Sequence, residues 1–159
     1  MPEDLDAALA RHAEAIATVR AFAARSRAER VVLLVDPGDG STATMLDWTA
    51  GTLELTERDE TYEVDDAFDA QPRPLPAVRP PPPTALSVDP ETGELEAPIG
   101  AIANLGQAVL ALAAAFGGRS VATAEFATRD PETPITIAAR VGEPLVLAAG
   151  DRRFVLPIG

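Results

Sequence analysis

The 159-residue sequence predicts an α+β domain in which two helices pack on an antiparallel sheet. Apolar residues recur at helical spacing in two segments, and short runs of β-branched and apolar residues lie between Asp, Pro and Gly turns. The order also repeats, because a helix followed by four short strands occurs twice. Such repetition predicts a duplicated helix-plus-four-strand unit.

The first helix is predicted over residues 3–28. Leu5, Leu9, Ile16 and Val19 form its apolar stripe, with alanine in most of the gaps. His12 lies on the same stripe, so we expect it to be a partly buried packing residue.

The second helix is predicted over residues 98–118, where Val109 and Leu112 belong to an apolar seam and no charged residue occurs. A membrane span is the alternative interpretation of an uncharged segment. Asn104, Gln107 and the many alanines make this one too polar for that role. We therefore expect a helix packed against the sheet and no membrane association.

The strands are predicted from alternation and from the turns that bound them. In the first half they cover residues 30–35, 41–48, 52–57 and 61–64, and in the second half residues 120–128, 135–140, 145–150 and 153–158. A hairpin is predicted around the turn "VDPETGEL", residues 88–95.

Residues 65–84 divide the chain into three parts. Seven prolines fall between positions 72 and 83, which favours an extended polyproline conformation and a stiff surface connector. The predicted organisation is a first α-β repeat (1–64), an acidic and proline-rich connector (65–84) and a second repeat (85–159), together forming one domain.

The charge is acidic and unevenly placed. The net charge is −12, and residues 31–97 account for all of it with fifteen acids against three arginines. This balance argues against nonspecific wrapping of nucleic acid. The acidic run at 54–69 is typical of a solvated edge strand, and the alternative is a surface that holds a basic partner.

The composition also limits the chemistry. The chain has no cysteine and a single histidine, which excludes disulfides, thiol catalysis and histidine-rich metal sites. No nucleophile elbow or P-loop is present. The start of the chain does not have the pattern of a signal peptide, so the expected location is cytoplasmic.

Three Asp-Pro turns, at 35–42, 88–95 and 129–136, are candidates for ligand loops. Asp accepts hydrogen bonds from the following amides and Pro fixes the next φ, so we interpret these turns as architecture. A calcium loop needs more oxygen ligands than Asp36, Asp39 and a serine supply. We predict no metal and no cofactor.

Several stretches together resemble one domain of the DNA sliding clamps, and the C-terminal domain of bacterial beta clamps in particular. They are "PEDLDAALARHAEAI", "TGELEAPIGAIANLGQAVLALAAAF", "SVATAEFATRDPETPITIA" and "RRFVLPIG". The chain departs from that family in having one such domain instead of three and no charge on its second helix.

Edge strands and the uncharged second helix predict a homo-oligomer. The resemblance implies that this oligomer forms a ring active in DNA replication, with the first helix facing DNA. The implied DNA contacts are Arg11, Arg20, Arg25 and Arg27, and the implied partner-binding tail is Phe154, Val155, Leu156 and Pro157. The alternative for the arginines is a solvated helix face paired with Glu3, Asp6 and Glu14.

The expected function is therefore a non-enzymatic clamp-like scaffold or interaction domain, DNA-associated as an oligomer. One alternative is a small-molecule-binding protein or enzyme that uses the turn carboxylates Asp36 and Asp39. The other is an acidic adapter with no role on DNA.

Overall fold

The computed structural model of this protein contains three helices and ten strands in the part of the chain that it describes. That part comprises residues 2–36, 43–50, 52–57, 60–65, 68, 70–75, 87–88, 95–96, 101–117, 119–128, 134–149 and 152–156. The helices are α1 (Pro2–Arg11), α2 (Ala13–Ser26) and α3 (Ala101–Ala115). The strands are β1 (Arg30–Val35), β2 (Thr44–Thr49), β3 (Thr52–Glu57), β4 (Glu60–Val64), β5 (Ser87–Val88), β6 (Leu95–Glu96), β7 (Val121–Phe126), β8 (Ile135–Arg140), β9 (Leu145–Ala149) and β10 (Arg152–Leu156).

Eight of the strands form one antiparallel sheet with the order β10-β9-β8-β7-β1-β2-β3-β4. Each half of the chain contributes a meander of four strands, and the two meanders meet where β1 pairs with β7. The strand order is therefore symmetric about the β1–β7 pair. The α+β class predicted from the sequence is confirmed.

The predicted first helix is interrupted at His12, which corrects the expectation of one helix over 3–28. His12 has φ −115° and ψ 17°, yet its N–H still donates to the carbonyl of Ala8 and its own carbonyl accepts from Ile16. The chain thus bends between α1 and α2 without losing the flanking hydrogen bonds. Helix α2 ends at Ser26 because Arg27 adopts the left-handed conformation, with φ 57°.

Helix α3 is shorter than the predicted 98–118. The structure places its last residue at Ala115, and Gly117 follows with φ 60°, a conformation that glycine adopts without steric cost. Gly106, inside the helix, allows a close approach to the sheet: a Cβ at this position would lie 2.5 Å from Cδ1 of Leu145 on β9.

Helices α2 and α3 contact each other and pack on the sheet, α2 against β1 and β2 and α3 against β7, β8 and β1. Alternate residues of the strands are buried, and the strand pairings align them on one face. These buried strand residues include Val31, Leu33, Leu46, Leu53, Leu55, Ala122, Ala124, Phe126, Ile135, Ile137, Ala139, Leu145, Leu147 and Ala149. Ile16, Val19 and Phe22 of α2 and Leu105, Val109 and Leu112 of α3 complete the core.

The other alternate residues lie on the opposite side of the sheet, which we call the open face. They are half-buried or exposed. The open face comprises Arg30, Val32, Leu34, Met45, Asp47, Thr49, Thr52, Glu54, Thr56, Thr61, Glu63, Val121, Thr123, Glu125, Thr136, Ala138, Arg140, Val146, Ala148, Arg153 and Val155.

The predicted hairpin is present as the separate pair β5–β6, with Val88 opposite Leu95. The first part of the predicted connector, residues 70–75, has no regular secondary structure. It is attached to α2, because the N–H of Arg73 donates to Thr18 Oγ1 at 2.8 Å. It also contacts the end of α3, where the Arg73 guanidinium lies over the ring of Phe116, 4.5 Å from its centroid. The polyproline run from 80 to 83 and Pro98 lie outside the described residues.

Within the described ranges, neither α3 nor another helix has the length and apolar character that crossing a lipid bilayer requires.

The close approach at Gly106 leads to a stability prediction. Gly106→Val places a branched side chain against Leu145, so we expect a loss of about 1–3 kcal/mol in the free energy of unfolding. Leu145→Ala alone should cost about 2–5 kcal/mol because it opens a cavity. The double variant should lose clearly less than the sum, since each change accommodates the other. Urea unfolding of the four proteins measures this coupling, and strictly additive losses would contradict the packing described.

Candidate functional site

Two of the four arginines predicted to contact DNA are bound within the protein. Arg11 Nη2 donates to Glu57 Oε1 at 2.5 Å, which ties α1 to the end of β3. Arg20 on α2 donates to the backbone carbonyls of Phe68 at 2.9 Å and Asp65 at 3.1 Å. Both guanidiniums therefore stabilise the tertiary structure.

Arg25 in the last turn of α2 and Arg27 at its end are exposed. Arg27 extends from a left-handed residue, so its direction differs from that of the helical arginines. Glu14 was expected to pair with an arginine of the same helix, but it forms a salt bridge with Arg73 of the connector. Among the predicted DNA contacts, Arg25 and Arg27 are the two that are exposed and not bound to another described part of the protein.

The predicted partner-binding tail lies on β10, an edge strand of the sheet. Phe154 and Val155 are opposite Leu147 and Val146 of β9. Val155 belongs to the open face and is 65% exposed. Pro157 lies outside the described residues. This part of the tail is therefore structured as a strand, with one side open to a partner.

A cluster of polar side chains surrounds the break between α1 and α2. His12 Nε2 lies 2.6 Å from Glu57 Oε2 and 3.2 Å from Thr44 Oγ1, and Thr44 Oγ1 also donates to Glu57 Oε2 at 3.2 Å. An ionised carboxylate only accepts hydrogen bonds, so Nε2 of His12 carries a proton. The prediction that His12 is partly buried is confirmed, and its polar partners were not predicted.

This cluster does not have the geometry of a catalytic triad. In a triad the carboxylate binds one imidazole nitrogen and the hydroxyl binds the other. Here Glu57 and Thr44 both contact Nε2 of His12, so the imidazole has no free nitrogen directed at the hydroxyl. The arrangement fits a structural role, in which hydrogen bonds connect the end of α1 to β2 and β3.

The pKa of Glu57 is shifted by its surroundings. Burial disfavours the ionised carboxylate and raises the pKa, but the hydrogen bonds from His12 and Arg11, together with their charges, act more strongly in the opposite direction. The pKa therefore lies below its ordinary value of 4.5. The ionised form of Glu57 is part of the native structure.

The turn carboxylates occupy a different part of the molecule. The backbone of Asp36 accepts from the N–H of Arg119 at 2.7 Å and donates to Ser120 Oγ at 3.1 Å, which connects the end of β1 to the start of β7. Asp39 lies outside the described residues. Among the residues that the structure does describe, no three His, Asp or Glu side chains converge in a way that could hold a metal ion.

The open face carries the largest set of potential contact residues. Strand register places one residue from each of the eight strands in a central row across it. From β4 to β10 this row reads Glu63, Glu54, Asp47, Val32, Thr123, Ala138, Val146 and Val155. One end of the row is thus acidic, and the other is made of small apolar residues and threonine.

The remaining charges sharpen this asymmetry. Glu54 and Glu63 lie directly opposite one another on β3 and β4, where two like charges repel. Arg30 is already paired with Asp47, at 2.7 Å, and this bond raises the pKa of Arg30. The strands β2, β3 and β4, which carry Asp47, Glu54 and Glu63 on the open face, contain no arginine.

The opposite half carries two arginines, Arg140 and Arg153, and one carboxylate, Glu125 on β7. Arg153 on β10 is exposed, and Arg140 at the end of β8 has only a long contact of 3.8 Å with Glu143. Arg140 Nε is buried and, within the described part of the chain, lacks a hydrogen-bond partner. The sequence did not predict this face. Alternation within each strand shows which residues share a side of that strand, but only the strand order shows which strands bring their charges together.

No family model matches this chain, and no curated protein or solved structure matches it either.

The His12–Glu57 cluster predicts a specific pH dependence of stability. Glu57→Gln removes the charge and should lower the free energy of unfolding by roughly 1–2 kcal/mol at pH 7. The expected loss is modest because Arg11 is half-exposed and solvent screens its pairing with Glu57. Because the folded-state pKa is depressed, the contribution of Glu57 is complete above about pH 4.5 and disappears as pH falls through the lower folded-state value. The difference between wild type and variant should therefore shrink in acid.

Chemical denaturation between pH 3 and pH 7 measures this difference. Glu54→Gln on the open face of the same strand is the matched control and should change stability by less than about 0.5 kcal/mol. A wild-type advantage over Glu57→Gln that is equal at pH 3 and pH 7 would rule out the ionic cluster.

Proposed function

We propose that this protein is a non-enzymatic interaction domain that binds a macromolecular partner through the open face of its sheet. The observation that carries the proposal is the difference between the two faces. One is covered by α2 and α3. The other presents a row from Val32 to Val155 that is apolar except for Thr123, and Val155 is 65% exposed.

An antiparallel sheet with one solvated face normally has polar residues there. The side chains of Val146 and Ala138 form no hydrogen bonds with water, so covering them with a partner is favourable, and the pairing of β8 with β9 places them side by side. Contiguous apolar surface of this kind marks interaction sites on monomeric proteins. No polar cluster of the described residues offers comparable support for catalysis, since Glu57 and its neighbours connect secondary-structure elements and lack the geometry of a catalytic triad.

A clamp-like scaffold associated with DNA is the second candidate. The symmetric strand order about the β1–β7 pair supports it, because a duplicated unit would produce such symmetry. The exposed Arg25 and Arg27 supply cations beside the end of α2. Phosphate contacts of this type need no base recognition.

The open-face proposal is tested with a single introduced thiol. The chain has no cysteine, so Thr123→Cys provides a unique label at the centre of the open face. Ala114→Cys, exposed on α3, is the control. We expect cell extract to slow maleimide labelling of Thr123→Cys at least fivefold relative to dilute purified protein, while the control changes by less than twofold.

Adding Val146→Asp to the Thr123→Cys protein should abolish that protection, because a carboxylate in the apolar row opposes desolvation. Equal labelling rates at both positions in extract would refute the proposed function.

The DNA candidate predicts salt-sensitive association that depends on the exposed arginines. Arg25→Glu/Arg27→Glu should weaken binding of a fluorescent duplex about tenfold or more at low salt and flatten the salt dependence. The control Arg119→Glu/Arg153→Glu makes the same charge change at two exposed positions outside α2 and should change affinity less than threefold. Absence of wild-type binding at 50 mM salt, or equal losses in both double variants, would exclude this role.

A further inference from the structure

Helix α1 buries little of its surface. Among residues 6–11, whose side chains the structure describes, Ala8 is buried, Leu9 is half-buried against the core, and the other four are exposed. Helix α2, in contrast, buries half of its fourteen residues. Because hydrophobic stabilisation scales with the apolar area removed from water, apolar contacts hold α1 on the protein much less firmly than α2.

A single carboxylate holds the end of α1. Arg11 Nη2 donates to Glu57 Oε1 at 2.5 Å, and Nε2 of His12, the residue after the helix, donates to Glu57 Oε2 at 2.6 Å. Glu57 lies on β3 and also accepts from Thr44 of β2, so it stays with the sheet whatever the position of α1. The polar part of the attachment therefore depends on one charge.

The residue between α1 and α2 has the backbone conformation of a hinge. His12 has φ −115° and ψ 17°, which lie outside the α-helical range. Hinges are residues at the ends of secondary-structure elements that absorb a change in φ and ψ. A rotation at His12 redirects α1, whereas α2 keeps its internal hydrogen bonds and its buried face.

We propose that α1 is a hinged arm that turns about His12 between a docked and an open state, and that the charge of Glu57 holds it docked. In the open state Ala8 and Leu9 are exposed and Arg11 is free of its carboxylate, while the sheet, α2 and α3 remain folded. Local opening of this kind occurs where a segment has few buried apolar contacts. The arm lies on the side of the sheet that carries the helices, so its opening is independent of the open face and of the proposed function.

Loss of the charge on Glu57 favours the open state. Burial raises the pKa of Glu57, but the hydrogen bonds from His12 and Arg11 and their charges outweigh it, so this pKa lies below 4.5. The other charged neighbour is Glu60, opposite Glu57 in the strand pairing, and its carboxylate accepts a hydrogen bond from Tyr62. The contribution of Glu57 to docking is complete above about pH 4.5 and is lost as the pH falls through the lower folded-state value. Acid therefore opens the arm.

A single introduced thiol on the buried side of α1 measures the opening. The chain has no cysteine, so Ala8→Cys is a unique label, and Ala23→Cys at a buried alanine of α2 is the matched control. We expect dithiodipyridine to label Ala8→Cys at least tenfold faster than Ala23→Cys, which becomes accessible only when the core unfolds. The rate for Ala8→Cys should be nearly independent of low urea concentrations, whereas that for Ala23→Cys should rise steeply, because the exposed surface sets the urea dependence.

Substitutions elsewhere separate opening of the arm from unfolding of the core. Glu57→Gln should speed labelling of Ala8→Cys about tenfold at pH 7, and the control Glu54→Gln on the same strand should change it less than twofold. Leu145→Ala opens a cavity beneath α3 and should speed labelling of Ala23→Cys at least thirtyfold. It should change the rate for Ala8→Cys less than twofold, because the docked and open states share the same core.

Hydrogen exchange of the unsubstituted protein measures the same opening without a buried thiol. Amides in the last turn of α1 should exchange through an event that is insensitive to low urea, and their protection, corrected for the intrinsic rate, should fall below about pH 4.5. Equal rates for Ala8→Cys and Ala23→Cys with the same urea dependence, or acceleration of both by Leu145→Ala, would overturn the separate opening of α1. A rate for Ala8→Cys that Glu57→Gln leaves unchanged would overturn the control by the carboxylate.

Discussion

Antiparallel pairing between β1 and β7 is the contact on which the architecture depends. It aligns Arg30 with Glu125 and Leu34 with Val121, and thereby joins two four-stranded meanders into one sheet. Hydrogen bonds beyond both ends extend the junction, from Glu29 N–H to the carbonyl of Glu125 and from Arg119 N–H to the carbonyl of Asp36. Because the meanders share this junction, α2 and α3 share one continuous buried face.

The same junction creates the surface that we assign to function. Had the meanders formed separate sheets, each would have had its own small apolar side. Joined, they align Val32 and Thr123 at the centre and place the acidic and arginine-bearing strands at opposite ends. The proposed recognition therefore depends on strand order as much as on side-chain identity.

Internal hydrogen bonds decide which charges remain for a partner. Arg11 and Arg20 lie on the first two helices together with Arg25, yet they bind Glu57 and the carbonyls near Phe68. Each such bond orients a charge toward the protein and withdraws it from ligands. Arg25 and the open-face residue Arg153 are exposed, so they are the positions at which charge reversal reports on binding without disturbing these contacts.

Local patterning was sufficient to determine the class and most of the elements. Hydrophobic periodicity located both main helices, and alternation between turn residues located β1, β3 and β8 to the residue. It did not reveal the break at His12, because the stripe continues through that position while the polar contacts with Thr44 and Glu57 come from distant strands. Periodicity is a property of neighbouring residues, and these contacts span more than 30 positions.

The pairing partners of each strand were decided only by the tertiary structure. Alternation shows that Glu54 and Arg153 lie on the opposite side of their strands from the adjacent residues. It does not show that both lie on the same face of one eight-stranded sheet, in opposite halves of it. The sequence alone determined an acidic, cysteine-free α+β chain with a helix and four short strands in each half. The association of those halves through β1 and β7, and hence the open face, required long-range hydrogen bonding that local propensity does not encode.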